Sequence, residues 1–194
     1  MGLFSKLFGR KNEDKSASEL MRSAVSDKTS ADLKMYQETV DHIVVSKSLQ
    51  SDLKLKLKQA FEDPRSFYDD DNEFILSERG LTYPNDVALT PKFVLIDTME
   101  DEDQIAEVDW KEDEDEVRFA INRIMKAKNY ATISDEVKYA VLDTSEIIRK
   151  INDDELKPMG YSLEILDINS DSYVFTIIPI HKHQDVSELF LKLK

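Results

Sequence analysis

The stretch Ile180-His181-Lys182-His183-Gln184-Asp185 holds two of the three histidines in the chain, and its spacing is the best metal-chelating pattern on offer. On a strand, positions i and i+2 share a face, so His181 and His183 could grip a divalent ion with Asp185 as a third ligand. The preferred expectation is simpler: two solvent-facing imidazoles between Pro179-Ile180 and a closing helix. Asp167, Asn169 and Asp171 match the first three ligands of a calcium loop. Ser172 stands where glycine is needed and Ile178 where a bidentate glutamate is needed, so the stretch reads as a hairpin turn. Asp69, Asp70, Asp71 and Glu73 fail the same test. With no cysteine there is neither a thiolate ligand nor a cysteine nucleophile. Glycine occurs only at positions 2, 9, 80 and 160, which excludes a glycine-rich phosphate loop and a nucleophile elbow; no cofactor is expected.

The carboxylates are numerous enough to supply an acid and a base, but that work needs an apolar pocket that raises one pKa. They cluster instead. From Asp97 to Glu116 twelve acidic side chains stand against Lys111 alone, so this stretch carries −11 of the formal −14. Such a surface repels phosphate backbones, and no direct nucleic-acid binding is expected. Asp101, Asp103, Glu112 and Asp113 represent this acidic face. Asp109 and Trp110 lie at the end of a predicted strand within it, where Trp110 is expected to anchor the core and Asp109 to cap or turn the next segment.

The opposite charge sits at the start. Leu3, Phe4, Leu7 and Phe8 cover one arc of a helical wheel, and Lys6, Arg10 and Lys11 make the segment basic. The apolar run is too interrupted for a signal peptide, and Lys6 occupies the place where myristoylation wants Ser or Thr. Four partly buried side chains at ~1 kcal/mol each, plus ~1 kcal/mol per basic residue near an anionic surface, amount to weak, reversible membrane or partner contact once ordering is subtracted; docking onto the chain's own body, at the acidic face from Asp97 to Glu116, is the other reading of the arm.

Several elements must position these groups. Residues 1–11 form the amphipathic basic arm, 12–29 a flexible tether and 30–194 a single α+β domain. A helix is expected after Thr29-Ser30, carrying Leu33, Tyr36, Val40, Ile43 and Val44 on one face. The run Leu53-Lys54-Leu55-Lys56-Leu57-Lys58 alternates like a strand, yet Leu49, Leu53, Leu57, Ala60 and Phe61 make one helical stripe that leaves only Leu55 off it. Pro64 ends that helix. Another is predicted from Phe67 to Arg79, closed by Gly80 in the left-handed region with Leu81 packing behind, and Tyr83-Pro84-Asn85-Asp86 is a turn. Thr90-Pro91 looks like a helix start, whereas Val94 and Ile96 argue for a strand. A short strand is expected around 105–110. The acids at 112–116 open a helix whose inner face is Val117, Ala120, Ile121, Ile124 and Met125. The strongest helical pattern runs from Ser134 through Val137, Ala140, Val141, Thr144 and Ile147 to Ile151. After Gly160 the period becomes two, giving a hairpin turned at Asn169-Ser170-Asp171, and a last helix spans Val186 to Leu193. The fold class is α+β: a mostly helical N-terminal part and a small antiparallel sheet of about three strands from the C-terminal half.

Asp109-Trp110-Lys111-Glu112 leading into an acidic helix, together with Gly160-Tyr161, Leu166-Asp167 and Ser170-Asp171-Ser172-Tyr173-Val174-Phe175, resembles a bacterial family known only as a domain of unknown function. The resemblance covers Phe67 to Ile180. It implies a bacterial cytoplasmic protein with an α+β domain and transfers no active site. The expected function is therefore a non-enzymatic protein-interaction module whose arm makes weak membrane or partner contact. An acidic immunity-type inhibitor of a cationic partner is the alternative, and a metal-assisted enzyme using His181 and His183 the third.

Overall fold

A computed structural model describes residues 17–68 and 76–193. Leu3, Phe4, Lys6, Leu7, Phe8, Arg10 and Lys11, and the acidic cluster at 69–73, lie outside the described residues.

Helix α1 runs Ala17–Ile43, so it begins upstream of Thr29-Ser30 and takes in residues that the sequence assigns to the tether. Helix α2, Lys47–Glu62, opens on Ser46, whose hydroxyl accepts the Leu49 amide. Leu53, Leu57 and Ala60 are buried along it while Leu55 is 67% exposed, so the helical period wins over the apparent alternation. Short 3-10 turns follow at Pro64–Phe67 and Leu76–Arg79. Gly80 takes φ +78° and the Leu81 amide returns to the Leu76 carbonyl, which is the predicted closure. Helix α3, Thr90–Asp101, settles the conflict at Val94 and Ile96 in favour of helix, because burial overrides β-branching. Thr90 does not cap it: Leu89 holds that position, and the Thr90 hydroxyl meets the Tyr68 hydroxyl at 3.0 Å.

Strand β1 (Ala106–Asp109), helix α4 (Glu114–Ala127), helix α5 (Thr144–Ile151), strands β2 (Tyr161–Leu166) and β3 (Ser172–Pro179) and helix α6 (His183–Lys192) complete the order. The sheet is antiparallel, ordered β1-β3-β2, with Glu107 opposite Val174 and Glu164 opposite Thr176. Because side chains alternate along a strand, the sheet has two buried faces. Leu166, Val174 and Ile178 pack with α1, α2, α3 and α6, whereas Val108, Leu163, Phe175 and Ile177 pack with α4 and α5. The α+β expectation and the third strand both hold, and β1 lies at one edge.

The predicted helix from Ser134 is corrected. Only α5 is helical; it is capped by Asp143, whose carboxylate accepts the Glu146 amide at 2.9 Å. Residues 131–143 are held open because side chains of α4 take their backbone groups. Asn122 accepts the Ile133 amide (3.0 Å) and donates to the Ile133 carbonyl (3.2 Å), and Arg118 donates to the Ser134 carbonyl at 2.8 Å. Glu114 accepts the amides of Lys138 and Tyr139. Groups so engaged cannot close helical bonds. Val137 and Val141, placed inward by the helical stripe, are 41% and 96% exposed.

Candidate functional site

Three places gather charge. The first is a groove of about 780 Å³ between α3, the β2–β3 hairpin and α6, with Phe93, Ile165, Ile168, Phe190 and Leu191 among its walls. Two ionisable side chains in its lining are buried, Lys92 and Glu164. Lys92 Nζ donates to the Asp167 carbonyl at 2.6 Å, and burial lowers its pKa against the pull of Asp167. Glu164 accepts from Ser162 Oγ at 2.7 Å and Ser187 Oγ at 2.6 Å, and its Oε1 lies 2.5 Å from His183 Nδ1. Serine, histidine and a carboxylate are thus adjacent, but they are not wired for nucleophilic catalysis. In that device the acid and the serine sit on opposite ring nitrogens. Here Ser187 gives its proton to Glu164 and lies 3.4 Å from the same Nδ1. The arrangement is a polar clamp fastening α6 to β2.

The second place is the acidic face. Arg79 stands among three carboxylates: Nε to Asp97 at 2.6 Å, Nη1 to Glu107 at 2.9 Å and Nη2 to Glu100 at 3.5 Å. Burial pushes the Asp97 carboxyl up to about 6, opposed by Arg79 and reinforced by Glu100 and Asp101. Beside β1 a depression of about 160 Å³ is lined by Glu100, Glu107, Asp109, Glu112, Glu116 and Phe119, with Arg123 at its edge. Phe119 is 61% exposed within it. Trp110 is 48% exposed, so it is no core anchor; Lys111 Nζ lies 4.7 Å from its ring centre. Asp109 does turn the chain, its carboxylate accepting the Lys111 amide at 2.9 Å. Asp113 caps α4 through the Glu116 amide, Asp103 pairs with Arg123 at 2.7 Å, and Asp101 and Glu112 stay at the surface.

The third place is internal. Arg118, fully buried, donates to Glu114 at 2.7 Å and to Glu155 at 2.7 and 3.1 Å. Glu114 is therefore the member of the acidic run that turns inward as a structural anchor. Burial works to raise its pKa, but the amides of Lys138 and Tyr139 and the Arg118 guanidinium outweigh that and hold it below the ordinary glutamate value. Lys128, also enclosed, donates to Thr176 Oγ1 at 2.6 Å and to the Ile177 carbonyl at 3.0 Å, and burial pulls its pKa down to about 7.

The histidine pattern meets a different geometry from the one assumed. Strand β3 ends at Pro179; His181 falls in the Ile180–Lys182 turn and His183 at the start of α6, bound to Glu164. Asp185 is exposed, and among the described residues no three His, Cys, Asp or Glu side chains gather to hold a metal ion. The sequence did not point to Lys92 or Glu164. In Tyr161-Ser162-Leu163-Glu164-Ile165-Leu166 the alternation assigns Glu164 to water and Ile165 to the core, yet Glu164 is 5% and Ile165 48% exposed.

These features define an α+β protein with a three-stranded antiparallel sheet between helical layers, an acidic surface and a groove of about 780 Å³. Residues 44–194 match the family described as a domain of unknown function, DUF6630, and the chain belongs to that family. The match extends beyond the Phe67–Ile180 stretch that carried the resemblance. No curated protein and no solved structure matches the chain. Among the described residues no helix is long and apolar enough to cross a membrane.

Proposed function

We propose that the chain is a non-enzymatic protein-interaction module that meets a cationic partner through the acidic face around β1 and the first turns of α4. The observation that carries this is Phe119, a large apolar side chain left 61% exposed among five carboxylates in one depression. An aromatic anchor inside a predominantly acidic rim is suited to protein recognition: the ring gains from losing water, and the rim speeds encounter and selects for opposite charge. The carboxyls best placed to move a proton are held by internal donors, which favours binding over turnover: Glu164 by Ser187, Glu114 and Glu155 by Arg118, and Asp97, whose pKa is raised, by Arg79.

The basic arm with Leu3, Phe4, Leu7 and Phe8 supplies a second, weaker contact, to an anionic membrane surface or to the same partner. On this reading the protein works in the bacterial cytoplasm, peripheral to the inner face of the membrane. An immunity-type inhibitor occupying the basic site of a toxin would use the same acidic face.

The test is affinity capture with three chains: full length, a chain lacking residues 1–11, and the variant Asp109→Asn, Glu112→Gln, Asp113→Asn, Glu116→Gln, which neutralises three of the depression's carboxylates and keeps an amide cap on α4. A cationic protein retained by the first two and lost from the charge variant, with retention falling as salt rises, is expected. Retention by the charge variant, or loss only on removing the arm, would overturn the assignment to this face.

A further inference from the structure

The groove between α3, α6 and the β2–β3 hairpin takes no part in that reading, and it has a chemical character of its own. Its walls leave large apolar groups facing water, with Leu191 87% and Ile165 48% exposed. Lys92, in its lining, is only 4% exposed. An ammonium has three donors; this one gives one hydrogen bond, to the Asp167 carbonyl at 2.6 Å, and makes no ion pair with the described residues. The two carboxylates nearby are committed elsewhere. Asp167 accepts the Asn169 amide within its own turn, and Glu164 is held by Ser162, Ser187 and His183. A buried ammonium with two unfilled donors is costly even with the Asp167 carboxylate attracting it from beyond ion-pair distance, and an acceptor that follows it into the groove relieves the cost. Lys128 also makes no ion pair with the described residues, but it is enclosed, donates to two oxygens and is absent from the groove's lining.

We propose that the groove binds a small anionic amphiphile, a medium-chain carboxylate, with its headgroup on Lys92 and its chain along Phe93, Phe190 and Leu191. With Glu164 and Asp167 also in the lining, the groove accepts little added negative charge, which favours a monoanionic carboxylate over a phosphomonoester dianion. The volume of about 780 Å³ falls in the ~300–1,000 Å³ span of small-molecule sites, whose usual character is apolar walls with a few fixed polar groups.

The experiment is calorimetric titration of the full chain with dodecanoate below its micelle concentration, with dodecanol and dodecyltrimethylammonium as neutral and cationic controls. Saturable one-to-one binding of dodecanoate is expected, at least tenfold tighter than dodecanol and not displaced by the cationic amphiphile. Lys92→Gln, with its fold checked by circular dichroism, should lose at least tenfold in dodecanoate affinity and nothing in dodecanol affinity. Leu191→Glu, at an exposed rim position that cannot unfold the core, should cost a similar factor by placing a like charge in the path of the chain. No saturable binding, equal affinity for all three amphiphiles, or wild-type affinity in both variants would overturn the proposal. Tighter binding after removal of residues 1–11 would overturn it too, by making the arm the occupant of the groove. None of these outcomes bears on the acidic face, whose test uses other residues.

Discussion

Replacing Glu114 with alanine strikes the point where three distant segments meet. Its carboxylate accepts from Arg118 on its own helix and from the amides of Lys138 and Tyr139, while Arg118 reaches on to Glu155. A fully buried orphaned amide costs about 1–3 kcal/mol, and the cost is at the low end here because Lys138 is exposed and Tyr139 half-buried. Breaking a buried ion pair outright costs about 3–5 kcal/mol, but Arg118 retains Glu155, so only part of that applies. A net loss of about 3–5 kcal/mol results, a large share of the ~5–15 kcal/mol that holds a typical domain. Urea denaturation at neutral pH measures it, and hydrogen exchange at Lys138 and Tyr139 reports whether the 131–143 segment is released. The pH dependence has a definite sign. A carboxyl whose folded pKa lies below its unfolded value contributes fully above that unfolded value, about 4.3, and the contribution fades as pH falls through the folded one. The gap between wild type and variant should therefore be constant near neutrality and close in acid. A loss under about 1 kcal/mol, or unchanged exchange at Lys138 and Tyr139, would refute the anchoring role.

Lys128→Met tests the other buried charge. With a folded pKa near 7 against 10.5 unfolded, the unfolded chain binds more protons between those values, so wild-type stability relative to Lys128→Met should rise with pH there, by up to about 1.4 kcal/mol per pH unit; urea melts of both across pH 6 to 10 decide it, and parallel curves would contradict it. On α2, Leu57→Ala should cost about 2–5 kcal/mol, whereas Leu55→Ser, only two residues away, should stay within about 0.5 kcal/mol, as thermal or chemical melts will register.

What could be read from the chain alone was what neighbours in sequence decide. The stripe of α2, the inner face of α4, the β2–β3 hairpin and the Gly80 closure each arise from local period and local caps. Residues 131–143 could not be read, because their conformation is set by Glu114, Arg118 and Asn122 on another element, and their own period pointed to helix. Trp110 and Glu164 exchanged their expected places for the same kind of reason. Trp110 falls in the turn just after a short edge strand and is not drawn into the core, and the face of β2 toward α6 is polar because Ser187 and His183 come to meet it. The acidic face was visible as charge but not as shape: only the packing of α4 against β1 sets Phe119 among the carboxylates of β1 and α3. The Lys92 groove draws on α3, the hairpin and α6, and no short motif encodes it.

Whether Phe119 touches a partner decides the proposed function most directly. A photo-reactive phenylalanine analogue placed at position 119 of the full chain, and in parallel at Val141, which is 96% exposed in the 131–143 segment, can be irradiated in the native cell. The prediction is a discrete adduct with a cationic protein from position 119, absent from position 141 and lost when Asp109, Glu112, Asp113 and Glu116 are neutralised. No adduct at 119, or the same adducts from both positions, would contradict it.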